Sequence, residues 1–224
     1  MLVGEHLAEF ERLNAEGMAA KDAASHEAAL AAFTQADNLA QAHDDPLKRL
    51  HALNPAGRAL WSMGHYDEAT AKLETASDIA AELEKPDEQG IIVSNLGRIA
   101  AVKTINTVPV PRQAAVLRVE STPKFRDAYQ ILDGNPHLYY RYANAQHGSV
   151  VAALAGERRL AARLISDGLR TAFRRSDPYD HARTYDISSS TRRGLGQLIA
   201  ATALIPFGNR TPVAARLARS RLVR

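Results

Sequence analysis

Glycine stands at positions 17, 57 and 97, forty residues apart each time, and it does not recur alone. Leu13, Gly17, Ala20, Ala29, Phe33 and Ala36 return as Leu53, Gly57, Leu60, Ala69, Leu73 and Ala76. A pattern that holds its phase over forty residues means one structural unit used repeatedly, each copy burying a face that it could not bury alone. Within a copy the apolar residues are spaced by three, four and seven, which marks helical faces. The clearest copy spans residues 50–83, LHALNPAGRALWSMGHYDEATAKLETASDIAAEL, and reads as a helix, a tight turn at Gly64 and a second helix. Its small residues Ala56, Gly57, Ala69 and Ala76 sit where two antiparallel helices must approach closely. Leu53, Leu60, Tyr66 and Leu73 fill the space between them.

With 41 alanines against one Trp, five Phe and no Cys, the chain favours helix and close helix packing over a thick aromatic core. Strands are not expected. The 224 residues exceed a typical single domain, yet four or five stacked hairpins account for them as one continuous unit. Lack of Cys removes disulfides and thiolate metal sites. The opening MLVGEHLAEF has neither the basic start nor the apolar run of a signal peptide. The longest apolar run, residues 195–207, falls short of the roughly 20 residues that span a bilayer. A cytoplasmic protein is expected.

Taken in order, the first hairpin pairs a helix from Val3 to Lys21 with one from His26 to His43, Ser25 serving as N-cap. Asp45 caps the next helix with Pro46 in its first turn, where a missing N–H costs nothing. Pro55 falls inside that helix and predicts a kink near Leu53. Lys85 and Pro86 stop the second hairpin, which spans 46–84, and Asp87 opens the third, 87–133. Residues 104–113, TINTVPVPRQ, hold two prolines among β-branched neighbours and predict an extended insertion. Beyond it Phe125 and Ala128 resume the register of Phe33 and Ala36 after twelve extra residues, and Gly168 follows Ala128 by forty. A fourth hairpin, 136–175, turns at Gly156. Residues 191–205 then form a helix that caps the open end, and 206–224 make an Arg-rich tail.

The run Gly64, Tyr66, Asp67, Glu68, Ala69, with the Ala and Gly positions above, resembles the tetratricopeptide repeat family. The likeness is strong over residues 8–103 and weak over 115–175. The usual repeat is 34 residues, so forty looks like the extended variety found in bacterial regulators and scaffold proteins. The resemblance implies an all-α fold: a right-handed superhelical solenoid of antiparallel helix hairpins with a C-terminal capping helix. It also implies a non-catalytic protein-binding role, the partner peptide or protein lying in the concave groove that the first helices line. Projected onto the pattern, that groove holds Asn14, Lys21, Asn54, Arg58, Trp61, Ser94, Asn95 and Arg98. The amides would bond an extended backbone, and Arg58 and Arg98 would pair with carboxylates.

Charge is distributed unevenly: residues 1–100 carry net −9, 101–154 net +3 and 155–224 net +9. Every basic residue of the last stretch is Arg, whose planar fork suits carboxylate and phosphate. An alternative reading follows, a nucleic-acid-associated or regulatory protein contacting phosphate through Arg216, Arg219, Arg221 and Arg224. Tyr139, Tyr140 and Tyr142 could stack on a partner, or form core with one exposed ring. Asp177, Asp180, His181 and Asp186 cluster in a segment better explained as a capping loop than as a cation site. Ser188, Ser189 and Ser190 lie near His181 and Asp186 only along the chain, which does not make a triad. Gly194 and Gly196 lack a phosphate-loop context. No catalytic residue, metal or cofactor is expected.

Overall fold

The chain reverses direction at Ala24, Asp44, Gly64 and Glu84, every twenty residues, and all four take a left-handed backbone, φ between 48° and 84°. One hydrogen bond closes each reversal in the same way. The amides of Ser25, Asp45, His65 and Lys85 donate to the carbonyls of Ala20, Ala40, Leu60 and Ala80 at 2.8–3.0 Å, the wide closure of a Schellman C-cap. The forty-residue period is therefore two helices and two near-identical turns. The computed structural model describes residues 1–134 and 138–174, and those from Met1 to Thr171 form one unit. All regular structure among the described residues is helical.

The helices so delimited are α1 (Gly4–Asp22), α2 (His26–Ala42), α3 (Pro46–Ser62), α4 (Tyr66–Glu82) and α5 (Pro86–Thr107). Asp45 caps α3 as expected: its carboxylate accepts from the Lys48 amide at 3.1 Å and from the Leu2 amide at 3.0 Å. Ser25 occupies the N-cap of α2 but makes no side-chain capping bond. Pro86 does not stop α4, as the sequence suggested. The turn at Glu84 has already done so, and Pro86 opens α5 from the first turn with Lys85 as N-cap. Pro55 removes one rung inside α3 without ending that helix.

Glycine sets the distance between paired helices. A methyl group on Gly17 would lie 2.6 Å from the Phe33 ring, and one on Gly57 would lie 2.7 Å from Leu73. At Gly97 the opposing side chain is Phe125, 3.0 Å away. Gly17, Gly57 and Gly97 thus occupy equivalent places, and Phe125 stands where Phe33 and Leu73 stand, as the twelve-residue offset required. Phe33, Leu73 and Phe125 are fully buried, each worth about 1.5–3 kcal/mol relative to exposure. Gly90 meets Leu132 on the same pair of helices, so α5 and its partner run antiparallel.

Residues 104–113 are not the extended insertion expected. Where the fifth reversal would fall, α5 instead continues for another turn, with Thr104 buried and its hydroxyl donating back to the Ala100 carbonyl at 2.8 Å. Only Val108 and Pro109 are extended. Helix resumes as α6 (Val110–Val116), with Pro111 in its first turn, where no amide is needed. Gln113 bonds the carbonyls of Ile105 and Val108 at 3.0 and 2.9 Å, satisfying acceptors that the end of α5 leaves open. A π-helical turn (Leu117–Ser121) leads into α7 (Thr122–Ile131). Inside it the buried Ser121 hydroxyl donates to the Gly97 carbonyl at 2.6 Å.

The fourth hairpin is α8 (Leu138–Leu154) and α9 (Arg158–Arg174), turned at Gly156, φ 79°. Its seam glycine is Gly148, facing Leu164 and Phe125. Gly168 lies against Ala145, an antiparallel pairing again. First helices of successive hairpins also touch. Glu11 meets Lys48 at 3.9 Å, His51 meets Glu88 at 3.8 Å, and the Arg98 guanidinium lies 4.5 Å from the centre of the Trp61 ring. Each pair is thirty-seven residues apart in the chain, as parallel neighbours in constant register require. No described helix is long and apolar enough to cross a membrane.

Candidate interaction surface

Polar residues gather where α3, α5 and α8 lie side by side. On α3, Asn54, Arg58 and Trp61 share one face because they are spaced by four and three. From α5, Arg98 lays its guanidinium over Trp61 and donates from Nη1 to Asn95 Oδ1 at 3.3 Å. Burial, the charge of Arg58 and, opposing them, Tyr139 on α8 act on Arg98, and the balance holds its pKa below the ordinary arginine value. Neither Arg58 nor Arg98 forms an ion pair with a carboxylate among the described residues. His147 on α8 is held down to about 4, first by burial and then by the charge of Arg98, so its ring is neutral at pH 7. One guanidinium thus lies over the indole, and a second arginine, three residues before the indole on α3, is near enough for its charge to act on the first.

Two buried acceptors lie on the same helices. Asn54 Oδ1 has no hydrogen-bond donor among the described residues, and neither has Asn144 Oδ1. The Asn144 amide group itself donates to the Phe125 carbonyl at 3.2 Å. A buried acceptor without a donor costs about 1–3 kcal/mol.

Of the eight residues projected onto the groove, Arg58, Trp61 and Arg98 come together, with Asn54 on the same helical face. Ser94 and Asn95 do not belong on an open surface: they are 1% and 4% exposed. The groove projection failed there because α5 is flanked by α3, α4, α7 and α8, which bury positions that are only partly covered on α1 and α3. Asn95 contributes by orienting Arg98. Lys21 is occupied at its own helix end, 3.4 Å from Asp22 and 3.7 Å from the Met18 sulfur. Asn14 is half-buried on α1, and no described contact joins it to the cluster. Arg216, Arg219, Arg221 and Arg224 lie outside the described residues, as do residues 177–196 with their Asp, His, Ser and Gly candidates and the expected capping helix.

The tyrosine cluster divides. Tyr142 is core, Tyr139 is 52% exposed, and Tyr139 and Tyr140 meet edge to face with ring centres 5.8 Å apart. Burial and the nearby Glu88 and Asp87 carboxylates raise the Tyr140 hydroxyl pKa. Sequence reading missed His147 and Asn144. The signal was present, since His147 precedes the fourth seam glycine, but that glycine comes fifty-one residues after Gly97 and the forty-residue step does not reach it.

No protein-family model matches the chain. No curated protein matches it either.

Proposed function

We propose that this chain is a cytoplasmic, non-catalytic protein-interaction module, a tetratricopeptide-like right-handed solenoid that binds a peptide or protein segment across its first helices. One observation carries the reading. Arg58, Trp61 and Arg98, from two neighbouring first helices, form a joined cationic and aromatic surface with no carboxylate paired to it among the described residues. Aromatic and Arg side chains are the usual anchors of protein interfaces.

The test is a photo-crosslinking residue, benzoylphenylalanine, placed in the full chain at exposed Ser62, four residues after Arg58 on the same face of α3, and, as control, at exposed Glu74 on α4. A discrete partner adduct at 62 and none at 74 is expected. Equal labelling at both sites, or none at 62, would remove the first-helix surface from the account.

A further inference from the structure

We propose that the pair Arg58 and Arg98 receives a phosphate monoester on a side chain of the bound segment, making this surface a phosphopeptide reader. The proposal rests on the interaction surface above and names what that surface selects. Its first support is charge. Arg98 on α5 lies over Trp61, Arg58 on α3 is near enough for its charge to act on Arg98, and neither arginine is neutralised by a carboxylate among the described residues. Elsewhere the chain shows what two cations on a single carboxylate look like. Asp37 holds Arg49 and Lys72 at 3.3 Å each, and Glu157 holds Arg118 and Arg126 at 3.7 and 3.8 Å, all long contacts. A carboxylate has one charge and two oxygens, too few to dock two planar forks in bidentate geometry. A phosphate monoester has about −1.5 to −2 charge at pH 7 and three acceptor oxygens, which matches two guanidiniums.

The second support is geometric. The Arg98 guanidinium lies 4.5 Å from the centre of the Trp61 ring, and Trp61 follows Arg58 by three residues on the same face of α3, so a ligand docked on the two arginines also meets an indole. A peptide covers that ring with a neighbouring residue, and inorganic phosphate covers none of it. A phosphodiester has a single charge per group. The His147 ring from α8, whose pKa is held down to about 4 by burial and then by the charge of Arg98, is neutral at pH 7.

Trp61 is the only tryptophan, so its fluorescence reports occupancy in the unmodified full chain. It would be titrated with a degenerate nonapeptide library fixed at a central phosphoserine. Comparison titrations would use the same library with Ser or Glu at the centre, inorganic phosphate, and a single-stranded oligonucleotide. The expected result is a saturable change with the phosphoserine library, at least tenfold weaker with Glu and absent with Ser. Affinity should fall about tenfold from pH 7.5 to 5, because the phosphate loses its second charge near pH 6. Arg58→Lys and Arg98→Lys, which keep the charge and lose the fork, should each weaken binding about tenfold, with far-UV circular dichroism confirming that both variants fold. Equal affinity for the Glu and phosphoserine libraries, a response to the oligonucleotide or to inorganic phosphate alone, or no response to any probe would overturn the proposal. A partner adduct at position 62 without phosphopeptide binding would sink this inference and leave the interaction surface standing.

Discussion

Inside the hairpins the same contact is made four times: Gly17 on Phe33, Gly57 on Leu73, Gly97 on Phe125 and Gly148 on Leu164. On the flank of those same first helices little repeats. The residue after the seam glycine is Met18, Arg58, Arg98 or Ser149, and the residue four after it is Lys21, Trp61, Ala101 or Ala152. The seam must satisfy one geometric condition, the approach distance of two helices, so each copy solves it with a glycine and a large apolar side chain. The flank carries no such condition. Arginine follows the glycine in the second and third copies alone, and Trp61 stands in the second alone, so the flank is where some copies do what the others do not.

Four changes press on that division, and the first should have the largest effect. Phe125 packs against both Gly97 and Gly148, joining the third and fourth hairpins. Phe125→Ala should cost about 3–5 kcal/mol in urea unfolding, and a loss below about 1 kcal/mol would show that the seam does not hold the array.

Glycine-to-alanine changes sharpen the same point by comparing rigid and flexible opponents. Gly17→Ala drives a methyl into the flat Phe33 ring, while Gly57→Ala meets the Leu73 side chain, which can swing aside. Losses of about 2–3 and about 1 kcal/mol are expected in that order. The reverse order would mean that backbone approach, and not the opposing side chain, sets the cost.

On the flank, His147 tests the environment of the arginines. Its folded pKa of about 4 lies below the ordinary imidazole value of about 6.5. The folded state therefore resists protonation: the stability that depends on a neutral ring is complete above pH 6.5 and drains as pH falls toward 4. Allowing for partial exposure, about 2 kcal/mol is at stake. His147→Phe should show a flatter decline in urea midpoint between pH 7 and 4.5 than the parent chain, and identical profiles would contradict the burial beside Arg98.

Much of the seam was legible because helix packing repeats its chemistry. Leu13, Gly17, Phe33 and Ala36 foretold Leu53, Gly57, Leu73 and Ala76, and even the twelve-residue offset at Phe125 could be counted. The twenty-residue turn rhythm was harder to see, since only Gly64 of the four left-handed residues is glycine. Ala24, Asp44 and Glu84 carry no such mark, because the hydrogen bonds of the turn impose that conformation. Residues 104–113 misled because propensity argued against helix while the burial of Thr104 and the Gln113 side chain, which bonds carbonyls at the end of α5, held the chain in helix on either side of Val108 and Pro109. Within the candidate surface, Arg58, Trp61 and Arg98 followed from position in the repeat. Their joining across helices depends on side-chain direction, and the burial of Ser94 and Asn95 depends on neighbours that no single copy reveals.

The division between seam and flank is tested most directly by removing both flank charges together. Urea unfolding of Arg58→Gln plus Arg98→Gln, measured beside the position-62 partner assay, should give a stability within about 0.5 kcal/mol of the parent, or slightly above it as the mutual repulsion goes, while partner binding is lost. A double variant that unfolds as readily as Phe125→Ala, or one that keeps its partner undiminished, would contradict the account.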